Sequence, residues 1–521
     1  MATNAELPWP NVVDGRAEQV TIDSWIEANA QSDRIALRFE DRAISYAELA
    51  DNLVATAATL ARLGVRAGDR VAYCGLNRVE LFEVLFACGR LGAIFVPLNN
   101  RLTEAELRVQ IVDSDPTVLL AADGFAPMLV GASNGRAVCD LDTDPLTAAV
   151  SCDEADEAAI SDEAAISDEA AISDEAVVLM VYTSGTTGTP KGAMLSQRAL
   201  YFTALNNIDH QRFTADDCII ATLPTFHVGG LNIQTLPVLL VGGEVLLMRR
   251  FDPEQVIDLI IEHRPTQTLL VPAMLAAVAA SPRFADLDLS CLVGINTGSS
   301  MVPEVVTEPY FSRGVPVGQV YGATETGPTS VVLTYDDAAD HRGSCGRPAT
   351  HTELRIVDGE ESDVEVGCDG ELWLRGPNLF SGYWNNEQAT DDAFVDGWYR
   401  TGDVGCVDAD GYCYISDRVK DMIISGGENV YPAEVETVLL EHQSVAEVAV
   451  IGRVDPTWGE IPVAHVVLQP GNELTIDELR DWAGSRLARF KLPRELVVVP
   501  TLPRTALGKV QKHVLRTTND E

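Results

Sequence analysis

The sequence predicts an α/β protein: a large N-terminal part of layered parallel sheets and helices, followed by a small C-terminal unit of mixed α and β structure. Three observations carry this. At 521 residues the chain is longer than one hydrophobic core usually grows, so it divides into more than one unit. Short β-branched runs alternate with amphipathic stretches, the pattern of parallel strands joined by helical crossovers. Near Asp417 to Asp421 the texture changes from glycine-rich turns and short strands (GELWLRG, GWYRTGDVG, GYCYIS) to a separate α/β stretch. That stretch of about 100 residues suits an independent small domain. The expected units are therefore 1–417 and 418–521.

The elements follow in order. Arg70 to Leu98 reads as strand (RVAYCGL), helix (NRVELFEVLFACGRLG) and strand (AIFVPLN), with Leu81, Val84, Leu85 and Cys88 at helical spacing. A helix from Glu104 to Val112 precedes a strand from Thr117 to Ala121. A strand from Gly243 to Met248, a helix from Pro253 to His263 and a strand from Gln267 to Val271 repeat the theme. Between Ala158 and Ala176 the six-residue unit AAISDE recurs. At about 100° per residue, successive isoleucines of this unit (Ile160, Ile166, Ile172) point about 240° apart, so they cannot share one helical face. The segment reads as an acidic, solvated loop leading into a strand from Val177 to Tyr182, with no functional weight.

Composition narrows the function. A hydrophobic content of 46% with 22% charged residues is that of a soluble globular protein. No apolar run reaches the roughly 18 to 20 residues a membrane span requires. The N-terminus, MATNAELPWPNVVDGR, lacks a basic segment followed by an apolar one, so a cytoplasmic location is expected. The ten cysteines are scattered without CxxC spacing and read as small buried hydrophobes. The eight histidines are equally dispersed, so no metal cage is legible. Acidic residues outnumber basic ones 78 to 37, for a net charge of −41. That balance argues against nucleic acid and anionic membranes as partners. It suits a salt-rich, halophile-like cytosol, where charges are screened within about 3 Å at 1 M. A homodimer is left open.

Only five lysines occur, and three of them lie in motifs that a nucleotide enzyme would use. A compact ammonium does what a planar guanidinium cannot. Lys191 closes YTSGTTGTPKG, which follows the strand from Val177. There Gly185, Gly188 and Gly192 let consecutive amides turn toward one point, while Thr183, Ser184, Thr186, Thr187 and Thr189 add hydroxyls. This is what a polyphosphate needs, although the spacing is not that of a Walker A loop. Lys420 lies in SDRVKDMIISGGENVYP and Lys509 in PRTALGK. Lys491 and Lys512 flank the last motif and read as surface residues.

YTSGTTGTPKG resembles the signature of the adenylate-forming superfamily, and YGATETG (Tyr321 to Gly327), YRTGDVG (Tyr399 to Gly405), SDRVKDMIISGGENVYPAEVE and PRTALGK match its later motifs in order. The resemblance spans about Thr21 to Arg516 and is to the acyl-CoA synthetase type. The acidic repeat is the one clear departure. The resemblance implies a small β-barrel-like subdomain before a mobile C-terminal domain, with ATP, Mg²⁺ and CoA as cofactor and co-substrates. It implies that the phosphate loop, Lys191, Gly298, Ser299, Ser300, Tyr321, Gly322, Asp403 and Arg418 bind ATP or AMP. Tyr321 would offer a face to adenine, and Asp403 a carboxylate to the ribose hydroxyls. Thr324 would reach the α-phosphate or acyl oxygen, and Glu325 with Thr183 would hold Mg²⁺. Lys509 would stabilise charge on the acyl and phosphoryl oxygens together. Lys420 would serve as hinge, and Gly426 and Gly427 would line the path of the CoA thiol arm.

For the acid pocket the best segment is LPTFHVGGLNIQTLPVLLVGG, Leu223 to Gly243, with His227, Val228 and Asn232 as candidates. Behind His227 it is aliphatic (Leu231, Ile233, Leu236, Leu239), and no lysine or arginine lies between Leu223 and Val241, which weakens a dicarboxylate reading. The expected activity is ATP-dependent acyl-CoA synthesis through an acyl-adenylate. A medium- or long-chain fatty acid is the first expectation, and an aryl or bicyclic carboxylate stands close behind. The rivals are a stand-alone adenylation enzyme loading a carrier protein and, in a different class, a non-catalytic nucleotide-binding regulator.

Overall fold

The computed structural model of the chain describes residues 21–146, 172–184, 190–298, 302, 304–418, 423–430, 432–503, 510 and 512–517. Two large sheets form the body. One has nine strands, of which Ile35–Phe39, Glu244–Leu247, Cys218–Ala221, Gln267–Leu269, Gly294–Gly298 and Val317–Tyr321 run parallel and adjacent. Antiparallel strands flank this parallel set on both sides. The other sheet has seven strands, with Val177–Ser184, Ile94–Pro97, Arg70–Cys74, Val118–Ala121 and Val138–Asp140 parallel. Pro190–Ser196 and Gly382–Tyr383 complete it antiparallel at the far edge.

Helices fill the space around these sheets because their apolar stripes have nowhere else to go. Val79–Leu91 is buried along most of its length, and its chain reverses at Gly92, in the left-handed region at φ 66°. Glu104–Ser114 starts with a capping box in which Thr103 and Glu106 satisfy each other's backbone amides. Pro253–His263 spans the predicted residues, with Pro253 in its first turn behind the Asp252 cap.

A small antiparallel β subdomain follows, built from Glu353–Val357, Gly370–Arg375, Phe394–Val395, Trp398–Val407 and Cys413–Arg418. The smaller C-terminal domain has its own five-stranded sheet, centred on the long hairpin Val445–Asp455 and Gly459–Leu468. Its own hydrophobic cluster includes Ile423, Val435, Val450, Val466 and Leu479. The acidic repeat lies largely outside the described residues. Its last copy, from Ile172, turns into Val177–Ser184 and is held there by Arg198, whose amide donates to the Asp174 carbonyl (2.7 Å) and whose guanidinium pairs with Glu175 (2.7 Å).

Among the described residues there is no helix long and apolar enough to cross a membrane, and no His/Cys/Asp/Glu group placed to hold a metal. Two expectations are corrected. Lys491 is not a surface residue: it is 5% exposed and donates to Glu106 Oε1 (3.0 Å) and Glu434 Oε1 (2.7 Å). Lys512 is likewise largely covered and ion-paired to Glu436 at 2.7 Å.

Candidate active site

The hairpin Val177–Ser184 and Pro190–Ser196 sets Thr183 directly opposite Lys191 and Ser184 opposite Pro190. The intervening Gly185, Thr186, Thr187, Gly188 and Thr189 lie outside the described residues. Thr183 donates from Oγ1 to Glu325 Oε1 at 3.4 Å, and the Tyr383 hydroxyl donates to the same oxygen at 2.8 Å. Lys191 Nζ lies 5.0 Å from the centre of the Tyr383 ring. Glu325 is 8% exposed, on the short 3-10 turn Thr324–Thr326. Burial pushes its carboxyl above the usual range, against the Tyr383 and Thr183 hydrogen bonds and the Lys191 charge. A carboxylate and a hydroxyl converging beside a lysine form a hard-oxygen set that suits Mg²⁺ on a polyphosphate. Tyr383 was not anticipated. It comes from the far edge strand of the same sheet, which nothing local in its sequence announces.

Tyr321 and Gly298 end neighbouring parallel strands, with Gly298 opposite Val320. Ligands bind at such carboxyl ends in open α/β sheets. Tyr321 donates its hydroxyl to Asp403 Oδ2 at 2.8 Å, and Asp403 is the register partner of Arg418. Burial, then the Asp403 charge, holds the Tyr321 phenol well above its usual range, so it remains a donor. Gly322 has no alternative to glycine, because a Cβ there would overlap the Pro328 carbonyl oxygen. Residues expected from separate segments thus stand side by side: Gly298 ends the strand next to Tyr321, Tyr321 is hydrogen-bonded to Asp403, and Asp403 pairs in register with Arg418. Ser299 and Ser300 lie outside the described residues, as do Lys420 and Lys509.

His227 caps the helix Val228–Asn232 without a side-chain capping bond. Its Nε2 lies 3.1 Å from Glu428 Oε2, and Arg101 pairs with the other carboxylate oxygen. Burial alone would raise the Glu428 carboxyl, yet the neighbouring His227 and Arg101 outweigh it and hold it below the usual range. Glu428 follows Gly426 and Gly427, both in the left-handed region (φ 61° and 82°), where a side chain would be strained. The Gly427 turn packs toward Val271 of the N-terminal domain, where a Cβ would lie 3.7 Å from the valine methyl. The glycine turn and His227 are thereby drawn together. Glu428 and Arg101 escaped sequence reasoning, because residues 327 positions apart leave no local signal. Val228 is buried, and Asn232 donates from Nδ2 to the Gly327 carbonyl at 2.7 Å. Of the aliphatic residues behind His227, Leu231, Leu236 and Leu239 belong to the main core, and Ile233 packs in a separate cluster with Leu223, Leu269 and Val271.

With fold and site in view, the chain belongs to the AMP-binding enzyme family, whose model matches residues 25–384; the family's C-terminal domain model matches residues 434–509. Within the adenylate-forming superfamily it is of the acyl-CoA synthetase type, an ATP-dependent, AMP-forming acid–thiol ligase. The indoleacetate–CoA ligase of Aromatoleum aromaticum is 44% identical over 95% of this chain and 97% of that one. A feruloyl-CoA synthase of an Amycolatopsis species is 39% identical (92% and 95% covered), and a long-chain-fatty-acid–CoA ligase of Mycobacterium tuberculosis 36% (91% and 93%). Among solved structures, o-succinylbenzoate CoA synthetase from Bacillus subtilis, bound with a CoA product analogue, superposes with a TM-score of 0.85 at 33% identity, covering 96% of this chain and 98% of that one. The same enzyme in complex with its acyl-adenylate gives 0.69 at equal identity and coverage.

Proposed function

We propose that this CoA ligase acts on an aryl or arylalkyl carboxylic acid rather than on a fatty acid. One observation carries the preference: the relatives at 44% and 39% identity are named for indoleacetate and ferulate, whereas the relative named for long-chain fatty acids stands at 36%.

In the proposed mechanism, backbone amides of residues 185–188 and the Thr183, Ser184, Thr186 and Thr187 hydroxyls cradle the ATP phosphates, with Lys191 adding charge. Glu325 and Thr183 would hold Mg²⁺, which when bound screens the phosphate oxygens. Tyr321, Gly322, Gly298, Ser299 and Ser300 form the adenine side, and Asp403 with Arg418 the ribose side. A substrate carboxylate oxygen attacks the α-phosphorus and pyrophosphate departs. Lys509 and Thr324 stabilise the charge that builds on the oxygens between them. The C-terminal domain then turns about Lys420, bringing Gly426 and Gly427 beside His227 to frame a channel for the CoA arm. The thiol sulfur attacks the acyl carbon, AMP leaves, and the thiol proton passes to solvent or to His227.

The test is CoA-thioester formation and pyrophosphate release with acetate, octanoate, palmitate, benzoate, ferulate and indole-3-acetate, at low and molar KCl. Aryl acids should exceed the fatty acids in kcat/KM by about tenfold or more. Octanoate or palmitate ranking first would overturn the proposal.

A further inference from the structure

The two halves of the candidate phosphate site come from different sheets. Glu325 sits on the turn Thr324–Thr326, after the strand Val317–Tyr321 of the nine-stranded sheet. Thr183 and Lys191 belong to the hairpin near the edge of the seven-stranded one. A short segment, Phe380 to Trp384, is bonded to both. The Phe380 amide donates to the Glu325 carbonyl (2.8 Å), and the Ser381 and Trp384 amides donate to the Met194 and Gly192 carbonyls (2.8 Å each). Tyr383 lies in register with Ala193, two residues along from Lys191. Its own amide donates to Thr390 Oγ1 at 2.9 Å. The backbone beneath the Tyr383 side chain is thereby pinned on every side.

On that frame the side chain meets both halves. The Tyr383 hydroxyl donates to Glu325 Oε1 at 2.8 Å, the same oxygen that Thr183 Oγ1 reaches at 3.4 Å. The ring lies under the Lys191 ammonium, 5.0 Å from centre to nitrogen, where the negative face of an aromatic attracts a cation. Packing accounts for the ring, which meets Phe380 edge-on with centres 4.9 Å apart, and a phenylalanine would pack there as well. It does not account for the hydroxyl. A carboxylate held through one oxygen by a donor on a rigid strand presents its other oxygen in a fixed direction.

We propose that Tyr383 is a positioning residue of the ligase: its hydroxyl fixes the Glu325 carboxylate against the phosphate hairpin, oriented to take a divalent cation on the ATP phosphates. This rests on the reading of Glu325 as a Mg²⁺ ligand and extends it. Groups that orient a metal ligand from behind contribute about 10- to 100-fold in metal affinity. Loss of the hydroxyl should therefore weaken the cation and spare the nucleotide.

The experiment measures Mn²⁺ binding to the full chain by electron paramagnetic resonance with α,β-methylene-ATP present, and binding of that analogue in EDTA by calorimetry. Tyr383→Phe keeps the ring and its packing, so the fold should be undisturbed. It should raise the Kd for Mn²⁺ by about tenfold or more and leave the metal-free Kd of the analogue within about twofold. In turnover, half-maximal adenylate formation should need about tenfold more free Mg²⁺, with kcat at saturating Mg²⁺ nearly unchanged. Glu325→Gln should weaken Mn²⁺ at least as much. Adding Tyr383→Phe to it should cost nothing further, because the hydroxyl then has no carboxylate to fix. Unchanged Mn²⁺ affinity in Tyr383→Phe, beside an impaired Glu325→Gln, would overturn the positioning role and leave the reading of Glu325 intact. Equal losses of analogue affinity with and without metal would overturn it too, since they mark a general loosening of the hairpin. Mn²⁺ bound as tightly by Glu325→Gln as by wild type would instead sink the reading beneath the proposal.

Discussion

Arginine carries nearly all the positive charge of this chain, so its five lysines single themselves out. Lys191 was legible because its motif is contiguous, and the hairpin register that sets it opposite Thr183 follows from that contiguity. Lys491 was not. Its carboxylate partners stand 385 and 57 positions away, and a buried ammonium looks like a solvated one in a string of letters. Leucines at helical spacing predict burial but not against what, and here Leu231, Leu236 and Leu239 pack into the general core. For Lys509 the expectation is sharp. Lys509→Ala should lower acyl-adenylate formation by on the order of 10²–10³-fold, as removal of a charge-stabilising donor does. Thioester formation from supplied acyl-adenylate should fall far less. Stopped-flow or single-turnover measurement of each half-reaction decides it, and equal losses would refute the role.

Among elements, periodicity located the helices and strands well. Glu104–Ser114 runs two residues beyond its expected end, stopped only when Asp115 turns left-handed at φ 44°. The strand Val177–Ser184 likewise continues into the glycine loop, because its partner Pro190–Ser196 pairs that far along. Strand order was not legible. Nothing in Gly382–Tyr383 announces that it closes the edge of a sheet begun at Arg70–Cys74 and thereby delivers Tyr383 to Glu325. Both are long-range pairings, fixed by packing rather than by local preference. The proposed hinge belongs to this scale. Lys420→Pro fixes one backbone dihedral and removes an amide donor, so it should freeze one arrangement of the C-terminal domain. Adenylate formation should stay within a few fold while CoA-thioester formation falls by about 10²-fold. A variant that keeps both rates would show the pivot to lie elsewhere.

At the scale of the whole molecule, two kinds of electrostatics act in opposite ways. The net charge of −41 is spread over the surface, where it repels itself at low salt and is screened at high salt. Lys491 is different: it is buried between Glu106, on the N-terminal helix Glu104–Ser114, and Glu434, on the C-terminal helix Pro432–Leu440. Burial tends to lower its pKa, but the two carboxylates outweigh that and raise it, so the ammonium stays charged. Burial holds the Glu434 carboxyl above its usual range despite the lysine, so the cluster depends on its one cation. Removing that cation would leave two largely buried carboxylates facing each other, a loss of about 3–5 kcal/mol for this arrangement of the domains. Neither domain's own core contains the triad's charge, so each should remain folded. Lys491→Met should therefore weaken the CoA-dependent half-reaction by on the order of 10²-fold, change adenylate formation little, and leave the melting profile of each domain in place. Molar KCl should improve the wild type, whose surface charges it screens. It should not restore the variant, because a screening atmosphere does not enter a buried contact. Half-reaction rates of both proteins across a KCl series would test this, and recovery of the variant by salt would mean that the triad is solvated and holds nothing together.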